Sequence, residues 1–260
     1  MSDAPRILKR ILVALDAATF EAQTLEAAAA LAAQLRAELH GLFIEDVNLL
    51  NLAGLPFAQE TSFSAPLPRP LNLESMERMF RLKAHRAREQ LADLAGRARI
   101  SWSFHVARGH TVRGPLDAAG AADLLLLGTR PFISRSSPPS AVRSAHSVTI
   151  LVDGELSCER LIEVGSTLCA ASGAELQVLL FPADPATAAR LRTIVQDQLE
   201  RRRIPAVVRS DTIATFDELL AELRRRQPRI LLLCRQSPWL DAAALESLVA
   251  RSCCPIGLVC

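Results

Sequence analysis

Lysine is nearly missing from this chain. Lys9 and Lys83 are the only two, and the remaining basic side chains are arginines. In a sequence rich in alanine and leucine, this skew reads as biased codon usage rather than as selection for phosphate-gripping guanidinium forks. Net charge is scarce too, at +2, which excludes a general pull toward nucleic acid or an anionic membrane. The longest apolar run lies near Leu124 to Leu127, far short of the roughly 20 residues that span a bilayer. The opening MSDAPRILKR carries no apolar signal core. These absences predict a cytoplasmic protein with no membrane and no nucleic-acid partner. Cysteine is absent from the first half. Cys158, Cys169, Cys234, Cys253, Cys254 and Cys260 all lie in the second and form no CxxC pair, so free and mostly buried thiols are expected, with Cys260 exposed. The vicinal pair Cys253-Cys254, together with Cys260, also reads as a thiol switch or a soft-metal site, although no histidine lies in that half.

What the sequence does contain is a repeat. A buried strand ending in an acid, an Ala/Leu-rich helix and a second strand introduced by Ala-Glu-Leu occur twice. The first copy runs from Ile11 to Asp16 and on to Ala37-Glu38-Leu39, the second from Val148 to Asp153 and on to Ala174-Glu175-Leu176. At one constant offset Leu25 lies over Ile162 and Leu31 over Leu168, which points to duplication. Two domains follow, residues 1–146 and 147–260, with an inserted segment 45–71 in the first. Half of the residues are hydrophobic, a core-forming composition.

Near-continuous Ile, Leu and Val runs alternate with helical spacing. In the first half strands are expected at Ile11 to Leu15, Leu39 to Ile44, Ser101 to Ala107 and Leu124 to Leu127. Helices are expected at about Phe20 to Arg36 (with Thr19 as cap), Leu73 to Arg97 and Val112 to Ala119. In the second half Thr149 to Val152, Leu176 to Phe181, Ala206 to Arg209, Ile230 to Cys234 and Ile256 to Val259 read as strands. Gly173 reads as a helix C-cap, Asp184-Pro185 as a helix start and Thr215 with Glu218 as a capping box. Strands of this kind predict an α/β fold with two tandem doubly wound parallel sheets.

The acid-tipped first strand (Asp16, Asp153), the AEL entry, Val106-Ala107-Arg108-Gly109 and Ala122 to Gly128 follow one another in an order that resembles the universal stress protein family, as a tandem pair. The resemblance implies strand order 3-2-1-4-5 in each half, pairing as a homodimer or an intramolecular pseudo-dimer, and a stress-related role. It also implies an acid beside adenosine and, after strand four, a loop of Gly, two residues, Gly, nine residues, then Gly-Ser or Gly-Thr. Such a loop lets backbone N–H groups reach phosphate. Here the first copy keeps Gly128 but has Pro131, Ala141 and Val142 at the later positions. The second copy has Cys234, Ser237 and Ser247. Proline supplies no donor and a methyl obstructs approach, so the phosphate loop is read as decayed and ATP is not expected in the family's usual manner.

The alternative is a nucleotide or anion sensor. Arg108, Arg113, Arg130, Arg135 and Arg143 follow the ends of strands three and four, where open α/β sheets bind ligands. Its site would comprise Asp16, Arg108, Gly109, Gly128, Thr129 and Arg130, with ATP as the candidate ligand. His110 is the one histidine placed near that cleft. No Ser or Cys nucleophile in a recognisable turn accompanies Asp16 and His110, so no enzyme is expected. The first half has little room after strand four. Either it has four strands, with Pro131 to Ser134 as a vestige and a short helix near Ser140 to Ala145, or Thr149 to Val152 is its fifth; the repeat favours four. A sheet edge would then need cover. Asn48 to Phe57 is apolar for a loop and reads as a docking segment for a partner, the other half or a second subunit.

Overall fold

The computed structural model describes residues 8–17, 22–62, 65–128, 147–182 and 184–259. Thr19, Thr129, Arg130, Pro131 to Ser134, Arg135, Ser140 to Ala145 and Cys260, all invoked above, lie outside the described residues.

In the first half the elements are β1 (Arg10–Asp16), α1 (Ala22–Leu35), β2 (Glu38–Asp46), α2 (Val47–Ala53), β3 (Gln59–Ser62), β4 (Ala65–Pro70), α3 (Leu73–Ala98), β5 (Trp102–Gly109), α4 (Arg113–Ala118) and β6 (Leu124–Leu127). The second half supplies β7 (Ser147–Val152), α5 (Glu155–Ser172), β8 (Glu175–Leu180), α6 (Pro185–Arg202), β9 (Ala206–Thr212), α7 (Phe216–Arg226), β10 (Ile230–Cys234), α8 (Ala242–Arg251) and β11 (Ile256–Val259). The strands and helices expected from periodicity are all present. Several ends are set by local chemistry. Asp184 and Thr215 cap α6 and α7 by accepting from Thr187 N and Glu218 N. Helix α5 ends at Gly173 with φ 66°, and its repeat partner Arg36 ends α1 with φ 53°. Both copies thus turn out of the helix through the left-handed region, which costs a side chain more than it costs glycine.

The insertion is more ordered than its four prolines suggest. Asp46 caps α2 by accepting from Asn48 N at 2.9 Å. Strands β3 and β4 pair as an antiparallel ribbon. Pro66, Pro68 and Pro70 occupy alternate positions of β4, so the missing N–H groups all fall on one edge, and the other edge stays free to pair.

The two tandem sheets are continuous. Nine strands form one sheet in the order β5-β2-β1-β6-β11-β10-β7-β8-β9, parallel throughout except where β6 meets β11 antiparallel. The first half contributes order 3-2-1-4 and the second 3-2-1-4-5. β7 lies between β10 and β8, so Thr149 to Val152 serves the second half and the first has four strands in the main sheet. The edge that this leaves on β6 is covered by β11, with Leu127 opposite Ile256 and Leu124 opposite Val259. Gly257 sits in that seam because its neighbours are close. A Cβ there would come 2.6 Å from Leu232 Cδ2 and 3.2 Å from Leu124 Cδ1.

Alternation along each strand divides the core in two. Ile11, Val13, Phe43, Leu126, Ile150 and Leu232 face the layer of α1, α3, α5 and α6. Leu12, Ala14, Ile44, Leu127, Leu233 and Leu258 face α4, α7 and α8. Both clusters cross the seam. Polar ties cross it as well: Arg160 Nη2 lies 3.7 Å from Asp123 Oδ1, and Arg235 Nη2 donates to the Leu116 carbonyl at 2.7 Å. Among the described residues no helix is long and apolar enough to cross a membrane.

Candidate functional site

The carboxyl ends of β1, β2 and β6 open onto a cavity of about 310 Å³. Strand alternation decides what enters it. Asp16 follows Leu12 and Ala14, and Asp46 follows Leu42 and Ile44, so both acids fall on the α4/α8 side of the sheet. His110 and Thr111 contribute where the chain leaves β5, and buried Gly128 closes the end of β6. Asn48 Nδ2 lies 3.5 Å from His110 Nδ1, which ties the start of α2 to that turn. The last wall belongs to the other half, because α8 brings Glu246, Val249 and Ala250 over the end of β6.

Three carboxylates therefore line one small cavity. Like charges gathered around one cavity repel each other, and the more so as the local dielectric falls. That environment favours a neutral or cationic group and opposes a polyphosphate. Among the described residues no group of three or more His, Cys, Asp or Glu side chains is arranged to hold a metal ion.

The sequence-derived site residues separate. Asp16 and Gly128 line the cavity. Arg108 lies directly opposite Glu45 in the β2/β5 register and shares its face, one residue out of phase with the cavity side. Its guanidinium donates to Glu45 Oε2 at 3.1 Å and to Glu77 Oε1 at 3.2 Å. The hydrogen bond to Glu45 is the main cause that raises its pKa, and Glu77 adds to it. Gly109 ends β5 beside Asp46, and open space surrounds the position of a Cβ there. Arg113 sits exposed at the start of α4.

The equivalent place in the second half is filled by the chain itself. Asp153 accepts from Ser157 Oγ at 3.0 Å and from Trp239 Nε1 at 3.0 Å. The indole packs against Phe181 with ring centroids 5.0 Å apart and planes tilted by 58°. Ser237 and Leu240 hold the loop around it, through Ser237 N to the Cys234 carbonyl and Leu240 N to the Ser237 carbonyl. The second acid is thus held by Ser157 and Trp239, while the first lines the cavity.

Sequence reasoning missed Asp46, Asn48, Glu246 and Trp239. Asp46 had a signal, an acid ending strand two with Asn two residues on, which is a capping pattern. Trp239 had one as well, as the only tryptophan of its half. Glu246 had none, since only the seam brings it to β1.

The thiols follow their burial. Cys158 and Cys254 are buried, and Cys169, Cys234 and Cys253 are partly so. Desolvation pushes Cys158 and Cys169 up to about 11.

No family model matches the sequence, and no curated protein matches it. The solved structures do. A universal stress protein from Archaeoglobus fulgidus superposes with a TM-score of 0.59 at 12% identity, over 96% of this chain and 95% of that one. A putative universal stress protein from Pseudomonas aeruginosa gives 0.53 at 12% identity, over 98% and 94%. A functionally unknown protein from the same organism gives 0.51 at 12% identity, over 99% and 94%. The fold, across nearly the full length of each, is that of the universal stress proteins.

Proposed function

We propose that this chain is a non-catalytic, cytoplasmic stress-response protein of the universal stress protein kind that acts by binding, and that its cleft does not take ATP in the manner of the nucleotide-binding members. One observation carries the reading: the cleft at Asp16 is walled by Asp46 and Glu246 as well, three carboxylates where a triphosphate would need donors. The replacement of the loop glycines by Pro131 and Ala141 supports it from the sequence. The β6/β11 seam supports the intramolecular form of the pairing that the resemblance implies, and the exposed apolar side chains of the insertion support a protein partner there. Leu52, Leu55 and Phe57 are exposed on it, Phe57 by 76%.

Titration of the purified chain with ATP, AMP and adenosine in parallel tests the cleft. The expected result is that ATP binds no more tightly than adenosine. A tenfold preference for ATP would instead establish the second reading, a nucleotide or anion sensor using Asp16, Gly128, Thr129 and Arg130.

A further inference from the structure

Strand β11, which joins the halves, begins just after two adjacent cysteines. The backbone bends at Cys253 and again at Cys254, which sets two thiols one peptide apart at the start of the seam. The two thiols are unequal. Cys253 is half-buried, and its Sγ donates to the Leu223 carbonyl at the end of α7, 3.2 Å away. Cys254 is buried, with its Sγ 3.5 Å from Ser252 Oγ. The hydrogen bond from Cys254, its own backbone and the charge of Arg224 outweigh desolvation and lower the Cys253 pKa, whereas its neighbour is pushed up. The less buried thiol is therefore the one that ionises first, and a second sulfur waits one peptide away.

We propose that Cys253 and Cys254 are a peroxide-reactive dithiol that closes reversibly to a vicinal disulfide. The Cys253 thiolate attacks one peroxide oxygen, the O–O bond breaks and hydroxide leaves, so Cys253 becomes a sulfenic acid. The Cys254 sulfur then attacks the Cys253 sulfur, the S–O bond breaks, and the thiol proton leaves with the hydroxyl group as water. Two thiols are oxidised and one peroxide is reduced to two waters. Adjacent Cα atoms are about 3.8 Å apart across a trans peptide, shorter than the span of roughly 4.4 to 6.8 Å that disulfides usually bridge. The ring is consequently strained, and strained disulfides are the easily reduced, regulatory ones.

The strain has a defined destination. On one side Ser252 N donates to the Leu248 carbonyl at 2.8 Å and finishes α8, the helix that supplies Glu246, Val249 and Ala250 to the cavity. On the other, Leu231 N donates to the Pro255 carbonyl at 3.0 Å, where β11 begins. Oxidation acts where the seam and the cleft wall are anchored.

The test uses the full chain carrying Cys260→Ser, treated with hydrogen peroxide and mapped by peptide mass. The peptide holding Cys253 and Cys254 should lose two hydrogens, regain them with dithiothreitol, and give an oxidised chain with a lower Tm. In the added variant Cys254→Ser, dimedone should trap a sulfenic acid on Cys253. Before oxidation, Cys253 should alkylate at least about tenfold faster than Cys158 and Cys169, as thiolate character requires. An unreacted pair, over-oxidation of Cys253 with Cys254 still free, or a disulfide from either residue to Cys234 would each overturn the proposal.

Discussion

Gly257→Ala places a methyl group in the seam where the surroundings are fixed. The new Cβ would lie 2.6 Å from Leu232 Cδ2, 3.2 Å from Leu124 Cδ1 and 3.3 Å from Ile230 Cδ1, against about 3.5 to 4.0 Å for an unstrained carbon contact. Leu232 and Leu124 are both fully buried, so neither can swing into solvent. Overpacking of this kind costs about 1 to 3 kcal/mol. Alanine returns roughly 0.5 to 1 kcal/mol over glycine in a strand interior. At the middle of both ranges the net expectation is a loss of about 1.25 kcal/mol, or a Tm lower by roughly 2 to 5 °C for a chain of this size. Urea unfolding can be read separately in each half, because Trp102 lies in the first and Trp239 in the second. With Trp102→Phe and Trp239→Phe backgrounds isolating one signal each, both midpoints should fall together, since Gly257 touches Leu124 on one side and Leu232 on the other. A variant as stable as the parent would refute the packing argument. A shift confined to the Trp239 signal would refute the view that β6 and β11 make one cooperative unit.

Trp239→Phe keeps the ring against Phe181 but removes the donor to Asp153; the expected loss is about 1 to 2 kcal/mol, measured by denaturant midpoint against the parent. Arg203→Gly should stabilise. Arg203 holds φ at 52° while its N–H still reaches the Glu200 carbonyl, and relief of the left-handed penalty of about 1 to 2 kcal/mol outweighs the roughly 0.5 to 1 kcal/mol of glycine chain entropy; calorimetry should show a higher Tm. Glu222 is raised by burial, but its hydrogen bonds from Arg225 and Arg226 prevail and hold its pKa below 4.5. A depressed folded-state carboxylate stabilises above its unfolded pKa and loses that contribution as pH falls through the folded value. The Tm gap between the parent and Glu222→Gln should therefore be largest near neutrality and narrow as the pH falls below the ordinary carboxylate range; a gap constant with pH would contradict the assignment.

Order and type of nearly every element were legible, because burial on both faces writes strands as continuous Ile, Leu and Val runs and helices as spaced apolar positions. The four-strand reading of the first half was also legible, since the repeat alignment assigns Val148 to Asp153 to the second copy. The insertion was not. Pro66, Pro68 and Pro70 signal a loop unless their alternate spacing is noticed, and α2 starts on a cap that strand two hides. Asp16 and Gly128 could be placed because they end strands that the repeat locates. Arg108 could have been paired with Glu45 by counting parallel register, which puts its side chain on the face away from the cavity. Glu246 and the covering of Asp153 by Trp239 are products of tertiary contact, and no local pattern carries them.

The antiparallel seam between β6 and β11 joins two halves of like strand order in a single polypeptide, with consequences for what each half is free to become. In a symmetric dimer of identical chains every substitution appears twice, so an indole that plugs one cleft plugs both. Covalent fusion lifts that constraint. Here Trp239 seals the acid of one copy, while the other keeps Asp16 facing an open cavity whose far wall is borrowed from its sealed twin. That asymmetry, one half as buttress and the other with the open cavity, is a state that only a chain carrying both halves can reach.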